Sequence, residues 1–96
     1  MMQWNPLPSD NRIEVSCDGQ VRRRINVSHP ERNKPYLLLK QNTDKDGYKR
    51  VSINKRNRLV HRLVYEAFIG SLKDGLVVCH LNNDKSDNRY SNLLQA

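Results

Sequence analysis

One segment of this chain carries a helical apolar stripe. Val60, Leu63, Val64, Ala67 and Phe68 recur at spacings of three and four residues, which puts them on one face of a helix that must be buried against something else. The spacing predicts a helix over His61–Ile69, stopped by Gly70, with Arg62 and Glu66 as an exposed pair one turn apart. The flanking segments alternate instead. Ile13, Val15 and Cys17 are interleaved with Arg12, Glu14 and Ser16, the period of a half-buried strand. Asp18-Gly19 then supplies a two-residue turn and Val21 opens the return strand, so residues 12–24 read as a hairpin. Trp4 is expected to anchor the N-terminus on this sheet.

Residues 26–35, with His29 before Pro30, read as a polar loop. Tyr36-Leu37-Leu38-Leu39-Lys40 is a short apolar strand, Asp44-Lys45-Asp46-Gly47 a turn, and Tyr48, Val51 and Ile53 mark a further strand. Asn54-Lys55-Arg56-Asn57 reverses the chain into Arg58-Leu59-Val60. After the helix, Leu76-Val77-Val78-Cys79 forms a short strand leading to His80. One helix among antiparallel strands is an α+β fold with a small antiparallel sheet.

Charge divides the chain unevenly. Residues 21–62 hold thirteen of the seventeen Lys and Arg against three acids, Glu31, Asp44 and Asp46. A basic middle beside a mildly acidic end suggests one segment that holds a polyanion and another that acts near it. Arg22, Arg23, Arg24, Arg50, Arg56 and Arg58 are the candidate phosphate contacts, because guanidinium forks match phosphate oxygens. Charge on both faces of Arg22-Arg23-Arg24 suits a strand end lying on nucleic acid. A lysine-rich solvated surface is the plainer alternative.

With 96 residues and 36% hydrophobic content, the chain makes a single small core. No apolar run approaches a membrane span, and the first residues lack a signal-peptide apolar region. Two cysteines, Cys17 and Cys79, allow one disulfide at most, so a cytosolic, reducing setting is expected. Together with His61 and His80 they match no compact zinc spacing.

The last residues carry the chemistry. His80 closes the apolar strand, the Asn- and Asp-rich run 82–92 follows, and apolar Leu93 and Leu94 return. The asparagine amides at 82, 83 and 88 suit a loop, where they cap turns and tolerate left-handed backbone. An imidazole at a strand end beside such a loop suits a general base working near a hard cation.

Four pieces in order resemble the HNH homing endonucleases of phages and introns. They are Trp4 with Ile13–Arg22, then Gly47–Val51, Val60–Ile69 and Cys79–Leu93. The resemblance implies an N-terminal sheet module over residues 1–58 and a helix plus ββα-metal motif over residues 59–96. It implies His80 as the general base that activates water. Asn92, twelve positions on, would hold the loop or orient that histidine and serve as a metal ligand. Cys79 stands at the position where the family often has an aspartate ligand. Mg²⁺ or Mn²⁺ is the implied cofactor, and a thiol is a poor ligand for either.

Duplex DNA is the implied partner. Lys49, Lys55, His61, Arg62, Asn88 and Arg89 join the arginines above as candidate contacts, although His61 at a helix start equally suits a structural role. The family's third motif residue lies on a helix that falls beyond Ala96, so the ββα-metal core reads as incomplete, and a homodimer that completes it is one expectation. The resemblance further implies a phage-encoded protein working in the cytoplasm of a bacterial host. The leading expectation is a metal-dependent DNA endonuclease. The alternatives are a non-catalytic DNA-binding relative and, last, a module whose basic face meets an acidic protein.

Overall fold

The computed structural model describes residues 2–25 and 36–96. The expected loop over 26–35, with His29, lies outside the described residues. Strands β1 (Trp4–Leu7), β2 (Asp10–Ser16), β3 (Val21–Arg24) and β4 (Tyr36–Leu38) form an antiparallel sheet in that order. Trp4 pairs with Ser16 in β1, and Pro6 is accepted there because β1 is an edge strand whose outer side needs no ladder N–H.

The β2–β3 turn differs from expectation. Val15 pairs with Val21, Ser16 N donates to Gln20 O at 2.8 Å, and Gly19 N donates to Ser16 O at 3.1 Å. The loop is therefore three residues, Cys17 to Gly19, with Gly19 at φ 96° supplying the left-handed closing position. Ser16 has turn chemistry of its own: its hydroxyl bonds Asp18 and accepts from Gln20 N.

A second sheet holds β5 (Asn42–Thr43), β6 (Lys49–Ile53) and β7 (Arg56–Leu59). Its β6–β7 turn is only Asn54-Lys55, both left-handed at φ 52° and 66°, a primed turn that matches strand twist. Arg56 and Asn57 thus belong to β7 rather than to the turn.

Helix α1 (Val60–Phe68) leaves β7 without a side-chain cap. Val60, Leu63 and Val64 are fully buried, and the helix packs against β1, β2, β6 and β7 as well as the third sheet. Asn5 Nδ2 donates to Ala67 O at 3.0 Å, satisfying a carbonyl of the last turn from β1. Glu66 reaches Arg58 at 3.8 Å, not the expected Arg62. Arg58 lies on β7, the strand that runs directly into the helix.

The third sheet is a two-stranded ladder of β8 (Val78–His80) and β9 (Leu93–Gln95). Reciprocal 2.8 Å bonds between Val77 and Ala96 extend it. A short 3₁₀ turn, η1 (Tyr90–Asn92), feeds β9. All three sheets share one core: Leu7, Ile13, Val15 and Val21 meet Val51, Ile53, Val60, Leu63, Val64, Val78 and Leu93. Among the described residues, no helix is long and apolar enough to cross a membrane, and both cysteines are free thiols.

Because Leu63 is fully buried in the shared core, Leu63→Ala is expected to cost about 2–5 kcal/mol. Urea denaturation followed by circular dichroism measures this; a loss comparable to a surface substitution would contradict the packing.

Candidate active site

Strand β8 ends at His80, whose ring lies under the helix start. His80 is 9% exposed, and its Nε2 sits 2.7 Å from Asn88 Oδ1, itself buried. The His61 ring, on the first turn of α1, lies 4.9 Å from the His80 ring centroid-to-centroid. Tyr48, at the entry to β6, stacks on His61 at 5.1 Å and lies 6.1 Å from His80. Lys85 crosses Tyr48 with its ammonium 4.7 Å from the ring centroid and donates to Asp46 O at 2.7 Å. His80, His61, Tyr48 and Lys85 line an open cleft of about 550 Å³ together with Arg62, Cys79 and Asn83.

His61 is buried, and its Nδ1 has no hydrogen-bond partner among the described residues. Burial first, then the neighbouring His80 and Arg62, pushes its pKa from 6.5 down to about 4. His61 is therefore a neutral ring at pH 7.

Asn92 is the clasp of the loop. Its Nδ2 donates to Asn82 Oδ1 and to Asp87 O, both at 2.9 Å, and its Oδ1 accepts from Asn82 N at 3.2 Å. Asp87 is further fixed by Asn82 Nδ2 and by Arg89 at 2.7 and 2.8 Å. These bonds, the Arg89 contact foremost, hold the Asp87 carboxyl well below the usual carboxylate range. Asn83 adopts φ 62° in the same loop.

The donors do not complete a hard-cation site. Asn92's amide is spent within the loop, Cys79 offers a thiol, and no three His, Cys, Asp or Glu side chains among the described residues are grouped to hold a metal.

The basic residues separate into groups. Arg22 is enclosed: Glu14 takes its guanidinium at 2.6 and 2.8 Å, and it lies 4.0 Å from the Trp4 ring centroid and 3.8 Å from that of Tyr36. Arg89 is held by Asp87 and Arg58 by Glu66. Arg23 and Arg24 are exposed and share a recess with Arg12 and Asn54, which brings the β6–β7 tip beside β3. Lys55 and Arg56 are exposed at that tip, Lys49 donates to Thr43 at 2.8 Å, Arg50 is half-buried in β6, and Arg62 opens onto the cleft. Asn88 sits inside, against His80, rather than on the surface.

Sequence reading had no means of finding Lys85 and Tyr48 as neighbours of His80. They lie five positions after and thirty-two before it, with only the tertiary fold to join them.

The structure thus joins a strand-end histidine, a cleft lined by Arg62 and Lys85, and a loop clasped by Asn92. The HNH endonuclease family matches residues 58–96. The chain is 33% identical over 92 residues to an uncharacterized HNH endonuclease of Acanthamoeba polyphaga mimivirus, covering 92% of this chain and 25% of that one. It is 39% identical over 97 residues to the DNA endonuclease I-HmuI of Bacillus phage SP01, covering 96% of this chain and 51% of that one. The solved structure of the HNH homing endonuclease I-HmuI matches with a TM-score of 0.75 at 29% identity, covering 99% of this chain and 52% of that one. Residues 58–96 thus match the HNH endonuclease family, and over nearly its whole length the chain is similar to HNH homing endonucleases. It spans a quarter of the first relative and about half of I-HmuI.

The depressed His61 pKa has a consequence for stability. Between its folded value of about 4 and the ordinary 6.5, the unfolded chain binds more protons, so stability is retained above 6.5 and lost as pH falls towards 4. Urea unfolding at about pH 7.5 and about pH 5 is expected to differ by about 1–2 kcal/mol more in the wild type than in His61→Phe. An equal pH dependence in both would contradict the burial.

Proposed function

We propose that this chain acts as an HNH-type DNA endonuclease, with residues 1–58 contributing most of the duplex contact and residues 59–96 the chemistry. The observation that carries the reading is the placement of His80: its ring is held from one side by Asn88 and opens into a cleft lined by Arg62 and Lys85. His80 takes a proton from the water whose oxygen attacks phosphorus, and the leaving oxygen departs opposite. Arg62 and Lys85 hold the non-bridging phosphate oxygens as charge builds on them. Tyr48 and neutral His61 wall the base, which keeps its ring in place. Exposed Arg23, Arg24, Lys55 and Arg56 hold the backbone away from the cut, whereas Arg22 and Arg89, already paired, stiffen the scaffold that presents them. A divalent cation would need oxygen donors beyond Cys79 and Asn92, such as those of the DNA itself.

That donor shortage favours a second reading, a DNA-binding module that does not cut. Supercoiled-plasmid nicking with Mg²⁺, Mn²⁺ or EDTA separates the two. The endonuclease reading expects cation-dependent nicking that falls by about 10²–10⁴-fold in His80→Ala, while affinity for duplex DNA is kept and weakens steeply with salt. Cutting by His80→Ala at the wild-type rate would overturn the assignment of His80. Salt-sensitive binding without nicking would leave the second reading standing.

A further inference from the structure

The contact that aims His80 depends on the other end of the chain. Asn88 is wedged between the histidine and the β2–β3 turn. A Cβ at Gly19 would lie 2.7 Å from Asn88 Cβ and 3.4 Å from its carbonyl oxygen, far inside van der Waals contact for the first. Gly19 is also left-handed at φ 96°, so this position excludes a side chain twice over. The turn is anchored by bonds that have nothing to do with the loop. Gln41 Nε2 donates to Gly19 O at 2.7 Å, and Ser16 holds Asp18 and Gln20. The loop is then tied to the turn by Tyr90 N donating to Cys17 O at 3.1 Å, two residues past Asn88.

We propose that the β2–β3 turn positions the catalytic histidine: Gly19 seats Asn88, and Asn88 Oδ1 accepts a hydrogen bond from His80 Nε2–H, so that His80 Nδ1 is the nitrogen that accepts a proton from water. The inference rests on the reading of His80 as the general base and goes beyond it in naming the nitrogen and the residues that select it. An amide oxygen only accepts, so at 2.7 Å the ring must carry its hydrogen on Nε2. A neutral imidazole has one N–H, which leaves the lone pair on Nδ1. That nitrogen has no hydrogen-bond partner among the described residues, and the ring lines the cleft. An amide, unlike a carboxylate, fixes the ring without adding charge beside it. Asn88 and Gly19 are positioning residues, acting through His80 and touching no substrate. The N-terminal sheet is then part of the nuclease centre as well as a surface for DNA.

Proton NMR of the histidine ring N–H groups, in the full chain without DNA and at a pH where the ring is neutral, tests this directly. A buried, bonded Nε2–H exchanges slowly with water and gives a resolved downfield signal assigned to His80 by its absence in His80→Gln. That signal is expected to vanish in Asn88→Ala and to shift or broaden in Gly19→Ala, although the latter changes neither bonded residue. The amide spectrum reports whether each variant is folded. In nicking assays kcat is expected to fall about 10–100-fold in Asn88→Ala with little change in KM, and Asn88→Asp, which keeps an acceptor oxygen, to recover more than Asn88→Ala does. A His80 proton found on Nδ1, or an Nε2–H signal unchanged in folded Asn88→Ala, would overturn the proposal. Because the ring signal is read without cleavage, a chain that shows it and cuts no DNA would support the seat while overturning the endonuclease reading.

Discussion

Burial of one short helix holds this molecule together. A helix of nine residues is below the length at which an isolated helix is stable in water, and two- or three-stranded sheets are marginal alone. Neither can exist here without the other. Val60, Leu63 and Val64 are fully buried where three separate sheets converge on α1. Among the described residues the buried apolar side chains form one cluster around this helix. The basic strands and the histidine motif are thus parts of one packing unit.

The same convergence builds the site. Tyr48 comes from the turn that enters β6, His61 from the helix, His80 from the third sheet and Lys85 from the loop. His61 is the structural cost of this arrangement, a buried polar ring with one nitrogen unpartnered among the described residues. Asn92 has the opposite character, with both amide atoms in use, so its contribution is a rigid loop. Arg22 shows how far composition misleads about surfaces. In a run of three arginines it looks like a phosphate contact, yet Glu14, Trp4 and Tyr36 enclose it.

Much of the fold was legible in the residues. The helix was found within one residue at each end, because five apolar positions at helical spacing have one interpretation. The β2–β3 and β6–β7 hairpins were found from their alternation and turn residues, but each turn's length was misjudged. Asp18-Gly19 and Asn54-Lys55-Arg56-Asn57 contain turn formers without saying which pair closes, and cross-strand register decides that. Strand β1 was hidden by Pro6, and β9 by its shortness. The place of His80 at a strand end and of Asn92 in the loop that follows was legible, whereas the burial of Asn88 against His80 was not. An asparagine in a polar loop carries no periodic signal, so nothing local distinguishes one that faces water from one that turns inward.

By itself the sequence determined the fold class, the position of the helix, the unequal distribution of charge and the histidine at the strand end. Each follows from short-range pattern: periodicity, turn chemistry, or a residue type at a fixed spacing. Only the tertiary structure decided that Gly19 meets Asn88, that His61 and Tyr48 wall His80, and which arginines are enclosed and which reach solvent. Those relations join residues tens of positions apart, and they are set by how three sheets close over one helix, where packing selects among partners that local sequence leaves equivalent.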